Sequence, residues 1–246
     1  MSRPDGTKLF AINAGTAALA DFGVFSDIGY FDGMAHEVRV PSYLIMHPKG
    51  NMIWEAGNGT DQDFGFMQLK ANPIAPQLEK IDLTPKDINF LAFSHLHIDH
   101  IGEASTFKDS TWIMNTIEWN TMKDDLGEKA LVADYVNANK IEIQGDHDVF
   151  GDGTVQILFT PGHTQGHQSL LLRLENAGNV ILCGDAFHQR ETRTARLVPS
   201  FNTSRADTLA SMDRLEGIVK YQNARLVIQH DKRDFAELPK FPAYLD

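Results

Sequence analysis

The run Ser94-His95-Leu96-His97-Ile98-Asp99-His100-Ile101-Gly102 places three histidines and an aspartate within six residues. Imidazole nitrogens suit zinc-class ions, and a carboxylate adds a harder, anionic oxygen. His95 and His97 stand two apart, so on extended backbone both side chains point to the same side. Asp99 and His100 are adjacent, so they diverge and can serve a second ion. One short motif thus prepares two metal positions close together.

Such a motif needs rigid neighbours. Residues 88–93 read as a short buried strand, and residues 101–104 can begin a helix. The motif then lies at the C-terminal end of a strand, where an α/β fold presents its chemistry. Three more metal-capable positions follow predicted strands in the same way. His163, in Pro161-Gly162-His163-Thr164-Gln165-Gly166-His167, follows the alternating strand 154–159. Asp185 follows the strand 180–183, and His230-Asp231 follows the strand 225–229.

The remaining elements are coarser. Residues 8–12 read as the first strand and 13–37 as a long loop carrying Phe22, Phe25, Tyr30, Phe31 and Met34. Loops of that length are usually functional, so its aromatics are candidates to line a binding groove. Residues 43–46 and 52–54 form a hairpin, and 61–69 offers a second apolar wall with Phe64, Phe66 and Met67. Short helices are expected over 73–81 and 128–137, and strands over 111–114 and 141–143. Strand 169–174 pairs with 180–183. The best helix spans 206–221, capped by Ser204, with Leu209, Met212, Leu215 and Ile218 in one apolar stripe. No linker or repeat interrupts the pattern, which predicts a single domain over 1–246.

Composition bounds the function. The 246 residues are 42% apolar and 22% charged, as in a globular protein with a real core. The net charge of −11 argues against a nucleic-acid partner and against docking on an anionic membrane. The single cysteine, Cys183, excludes a disulfide framework and sits in a strand as a small core residue. No apolar run approaches the length needed to cross a bilayer. Residues 9–20 end in Ala18-Leu19-Ala20 and mimic a signal cleavage site, but Asn13, Gly15 and Thr16 interrupt them. The expected location is cytoplasmic, or periplasmic or secreted if a leader preceded Met1.

Taken together, these residues make the chain resemble the metallo-β-lactamase superfamily of dinuclear hydrolases over most of its length. The resemblance implies an α/β fold of four layers, an αββα sandwich with the metals in a cleft at one edge. It implies one zinc ion on His95, His97 and His163, a second on Asp99, His100 and His230, and Asp185 bridging the two zinc ions. His167 would support the site from outside. An aspartate at 185 resembles the lactonase, glyoxalase II and phosphodiesterase branches more than the true β-lactamases. Glyoxalase II carries a further C-terminal helical region, for which the residues after His230 are too few.

The segments His95-Leu-His-Ile-Asp-His-Ile-Gly and Thr160-Pro-Gly-His-Thr-Gln-Gly-His, and the ending from His230-Asp231 to Phe241-Pro242-Ala243-Tyr244, are most similar to quorum-quenching N-acyl homoserine lactonases. That implies ring opening of a small lactone by a hydroxide shared between the zinc ions, with Asp99 orienting it. An acyl chain would need an apolar groove, for which Phe22, Phe25, Met34, Phe64, Phe66 and Phe187 are candidates. Those lactonases commonly carry a tyrosine three residues after the bridging aspartate, and this chain has His188 there. Its imidazole could donate a hydrogen bond or a proton in the same place. The alternatives are another lactone, a β-lactam or a phosphotriester as substrate, and, outside enzymology, a metal-binding scaffold. The chain is expected to act as a monomer or homodimer on a small molecule.

Overall fold

Apolar alternation along the strands decides the layering. The computed structural model describes residues 6–122 and 130–246. The first sheet runs β4 (Gln62–Asp63), β5 (Met67–Ala71), β1 (Lys8–Leu19), β2 (His36–His47), β3 (Gly50–Trp54), β6 (Phe90–Ala92), β7 (Thr111–Asn115) and β8 (Lys140–Ile143). The second runs β13 (Arg225–Val227), β12 (Gly178–Leu182), β11 (Gln168–Leu174), β10 (Val155–Phe159) and β9 (His147–Asp148). Successive side chains of a strand face opposite ways. In β2, Tyr43 and Ile45 therefore meet Leu170 and Leu172 of β11 between the sheets, while Leu44 and Met46 turn outward onto Ile74 and Leu78. On the far side, Leu171 of β11 and Ile181 of β12 pack on Met212 and Leu215 of the helix Arg205–Gln222. Helices outside, two sheets inside: the fold is the four-layer αββα sandwich.

Strand direction delivers the motifs to one edge. β3, β6, β7 and β8 are parallel. In the second sheet β10 is antiparallel to β11, β11 to β12, and β12 parallel to β13. β10, β12 and β13 therefore all run the same way, and each ends just before one of the metal-capable residues. Among the described residues no helix is long and apolar enough to cross a membrane.

The long helix forms as its sequence dictates. Ser204 takes extended backbone and its side chain accepts a hydrogen bond from the Asp207 backbone N–H, satisfying one orphan donor. Asn223 ends the helix in the left-handed region.

Four expectations shift. The first strand continues to Leu19, because a bulge between Asn13 and Thr16 lets residues 16–19 pair with β2 on one side and β5 on the other. The expected loop 13–37 therefore shrinks to residues 20–35. The helix after the motif starts inside it, at Ile98, with His97 as its extended N-cap and Asp99 in its first turn. Residues 73–81 split into the helix Ala75–Leu78 and a 3-10 turn Glu79–Ile81. The helix expected over 128–137 begins outside the described residues, and Ala133–Val136 forms a 3-10 turn.

Glu103, just past the motif, accepts a hydrogen bond from the Ile74 backbone N–H and so anchors the helix Ala75–Leu78. Burial pushes its carboxyl up to about 7, against the partial relief of that hydrogen bond. The folded state thus holds this proton over a range where the unfolded chain has lost it. Stability from this residue is intact below the ordinary glutamate range and is lost as pH rises through about 7. Glu103→Gln keeps an acceptor for Ile74 and is expected to remove the effect. Denaturant melts should show the variant gaining about 1–2 kcal/mol on wild type between pH 5 and pH 8. A difference that does not change with pH would contradict the buried-carboxyl reading.

Candidate metal centre

The motif leaves β6 on extended backbone, so His95 and His97 converge with His163 from the loop after β10. His95 Nε2 lies 2.8 Å from His97 Nδ1 and 3.1 Å from His163 Nε2, and His97 Nδ1 lies 3.0 Å from His163 Nε2. Asp185 Oδ2 closes this group at 3.4 Å from His163 Nε2 and 3.8 Å from His95 Nε2. Its other oxygen, Oδ1, faces the second group, 3.0 Å from His230 Nε2 and 3.4 Å from His100 Nε2. Asp99 completes that group, with Oδ2 3.5 Å from His230 Nε2 and Oδ1 3.7 Å from His100 Nε2.

Outer partners fix which ring nitrogen carries hydrogen. His230 Nδ1 donates to the Arg39 carbonyl at 2.6 Å, and His163 Nδ1 donates to Asn202 Oδ1 at 2.8 Å. His100 Nδ1 donates to Glu55 Oε2 at 3.1 Å. In a neutral imidazole the opposite nitrogen is then a bare lone pair. Three Nε2 lone pairs therefore point inward, toward one another and toward carboxylate oxygens. Acceptors facing acceptors call for a cation between them, a proton or a metal ion. His100 Nε2 and Asp185 Oδ1 are buried with no hydrogen-bond partner among the described residues, as that requirement predicts. Nitrogen and carboxylate donors at this spacing fit two divalent ions.

The electrostatics divide along the same line. Burial, then the neighbouring His100, His97 and His163, holds His95 well below the usual imidazole range. Burial lowers His97, and it lowers His163 well below that range. At His100 burial acts in the same sense, but the Asp185, Asp99 and Glu55 carboxylates outweigh it and raise the ring well above its ordinary value. Burial also opposes the charge on Asp185, yet His230, His188 and His100 overcome it and hold the carboxyl well below its usual range. One cluster is thus a neutral imidazole trap, and the other balances histidine against carboxylate.

A family model described as the metallo-beta-lactamase superfamily matches residues 37–230. The chain belongs to that superfamily. Among its curated relatives, N-acyl homoserine lactonase AttM of Azorhizobium caulinodans is 29% identical over 241 residues, covering 87% of this chain and 90% of the relative. N-acyl homoserine lactonase AiiA of Bacillus thuringiensis subsp. kurstaki is 31% identical over 253 residues, covering 97% and 98%. A solved structure of an N-acyl homoserine lactone hydrolase, with the product N-hexanoyl-L-homoserine bound at its catalytic metal centre, superposes with a TM-score of 0.84. It is 26% identical and covers 96% of this chain and 98% of its own.

Several supports of this superfamily site carry no motif of their own. Glu118, buried in the helix Thr116–Met122, accepts from the backbone N–H of Leu96 at 3.0 Å and of Gly166 at 2.9 Å. It ties the loop of His95 and His97 to the loop of His163. Glu55 follows β3 in left-handed backbone at φ 69° and accepts from the Ser94 N–H as well as from His100. An acid at the end of a strand beside the motif strand was a legible signal for Glu55. Nothing in Thr116-Ile117-Glu118 marks Glu118. His167 stands outside the clusters, where its Nε2 accepts from the Asp185 backbone N–H at 2.9 Å. Gly184 makes this possible: it takes φ 55°, and a Cβ there would lie 2.7 Å from His167 Nε2.

Above the two clusters lies a cavity of about 340 Å³ with Asp99, Asp185, His188 and His230 at its base. Phe25 and Phe66 line it, together with Leu19, Val24, Val38, Met67 and Phe201. The other aromatic candidates fall elsewhere. Phe22 is buried and stacks behind Phe25, with ring centroids 4.0 Å apart and planes at 10°. With Met34 it lines an adjoining cavity of about 410 Å³ on the other side of that stack. Phe64 is exposed beside Phe66 on the turn between β4 and β5. Phe187 is buried in the core under the long helix, because its neighbour His188 takes the inward direction. His188 is itself buried, with Nε2 3.0 Å from Asp185 Oδ2 and neither ring nitrogen in a hydrogen bond among the described residues.

Proposed function

We propose that the protein is a dinuclear zinc lactonase that opens the ring of N-acyl homoserine lactones. One observation carries the reading: Asp185 offers one carboxylate oxygen to each histidine cluster at the floor of an apolar cavity. The names of the relatives AttM and AiiA, N-acyl homoserine lactonases, support the substrate class. Zinc held by His95, His97 and His163, and by Asp99, His100 and His230, with Asp185 between, would polarise an ester carbonyl and supply ionised water near neutral pH.

The chain's own groups have narrower tasks. Asp99 is a partly exposed ligand candidate that faces the cavity, and its carboxylate accepts a hydrogen bond from the attacking water. His188 lies beside Asp185 with ring nitrogens that have no hydrogen-bond partner among the described residues, and it donates a hydrogen bond to the ester carbonyl or ring oxygen. Phe25, Phe66, Phe201 and Met67 strip water from an acyl chain and align it over the metals. Water adds across the ring ester: the acyl–oxygen bond breaks, the ring oxygen becomes a hydroxyl, and the new carboxylic acid releases one proton at neutral pH.

Metal-loaded protein should be offered a homoserine lactone, a δ-lactone, a β-lactam and a phosphotriester, with products identified by mass. The acyl homoserine lactone is expected to be turned over fastest. Faster turnover of the phosphotriester or the β-lactam would overturn the proposed substrate while leaving the metal centre standing. His188→Phe is expected to lower kcat by about tenfold or more with both metal ions retained. An unchanged kcat would remove His188 from the reaction.

A further inference from the structure

Arg39 is the one arginine among the described residues whose guanidinium meets neither a carboxylate nor a carbonyl. The other eight described arginines each do. Arg39 is nonetheless half-buried in β2. It lines a cavity of about 260 Å³ together with Lys80 and Lys240, and no carboxylate of the described residues lines that cavity. Neither lysine has an ion partner among the described residues. In a chain of net charge −11 this is a local reversal of sign. The cavity's apolar side is Phe235, Leu238 and Phe241.

Such an arrangement is costly when empty of counter-charge. The guanidinium of half-buried Arg39 has no protein acceptor among the described residues, and two exposed lysines of like charge line the same cavity. Its planar fork matches a carboxylate or phosphate through paired hydrogen bonds. The aromatic side would take an apolar body attached to that head. We propose that this cavity binds an oxyanion carried on an apolar group, a phosphate monoester or a carboxylate.

The site is separate from the metal centre but joined to it. Val38 lines the metal cavity, and alternation along β2 turns Arg39 to the opposite face. The Arg39 backbone meanwhile clasps His230: its carbonyl accepts from His230 Nδ1, and its N–H donates to the His230 carbonyl at 3.3 Å. One residue thus holds a metal-ligand candidate with its main chain and lines the basic cavity with its side chain.

Carboxylates and phosphates also bind dinuclear metal sites, so the test must resolve position. Metal-loaded, isotope-labelled protein at low salt should be titrated with phenyl phosphate while backbone amide resonances are followed. Ala11, Leu238 and Lys240 are expected to shift saturably, with half-saturation at about 1 mM or below. The Lys80→Gln/Lys240→Gln double variant should weaken this binding about fivefold or more, and added salt should weaken it too. Inorganic phosphate shifting the same amides would show that the head group suffices, and phenylacetate doing so would extend the site to carboxylates. Shifts confined to residues 95–100, 163 and 230, or equal affinity in the double variant, would overturn the proposal.

Discussion

Asp185→Asn is expected to reduce bound metal from two ions per chain to one or fewer, and lactone turnover by about 100-fold or more. The aspartate's two oxygens are divided between the clusters, Oδ2 toward His163 and His95, Oδ1 toward His230 and His100. Asparagine can offer an oxygen to only one of them. Its amide would then present N–H donors toward the other cluster, and the negative charge that would serve both ions is gone. The fold should survive, because asparagine matches the side chain in size and the His167 bond goes to the Asp185 main chain. Metal content by atomic spectroscopy and turnover on the same sample check the prediction. Two tightly held ions with full turnover would refute the bridging role.

The second large effect lies outside the metal ligands. Glu118 is 2% exposed and satisfies two backbone donors from the two loops that carry the ligand candidates His95, His97 and His163. Burial raises its carboxyl above the ordinary value, and the Leu96 and Gly166 N–H groups offset part of that. Glu118→Ala would leave both N–H groups buried without acceptors, at about 1–3 kcal/mol each. The expected result is a loss of about 2–5 kcal/mol in stability and a marked loss of zinc affinity. Glu118→Gln keeps one acceptor and is the milder probe. It should fold, yet bind metal about 10-fold to 100-fold more weakly, because the two loops are no longer held together. Zinc titration against a competing chelator measures this. Wild-type affinity in a folded glutamine variant would show that the loops are positioned without Glu118.

The metal clusters were legible because their chemistry is written in residue type and position. His95, His97, Asp99 and His100 are dense in one run, and His163, Asp185 and His230 each follow a short apolar strand, of which 154–159 alternates. The four layers were implied only by the family resemblance that these residues carry; the parallel pairing of β3, β6, β7 and β8 is seen in the structure. What failed to show has specific causes. Residues 16–18 are small and sit beside a glycine, so the segment to Leu19 reads as loop; the β-bulge that makes it strand depends on two partner strands distant in sequence. The aromatic loop was visible, but which ring faces the cavity is a matter of tertiary packing. Phe25 reaches it while Phe22 backs it, three residues apart on one short turn. Phe187 and His188 show the limit most sharply: adjacent residues point to opposite sides, and only the path of the chain after Asp185 decides which side is the site. Glu118 acts through main-chain groups far from it in sequence, which leaves no local mark.

The most direct test of the central claim is proton release at constant pH by protein shown to hold two zinc ions, offered N-acyl homoserine lactones from short to long chains. One proton per lactone consumed, with a rate that depends on chain length and falls in Asp185→Asn, is the predicted result. No proton release from the two-zinc protein with any chain length would contradict lactone hydrolysis by this site.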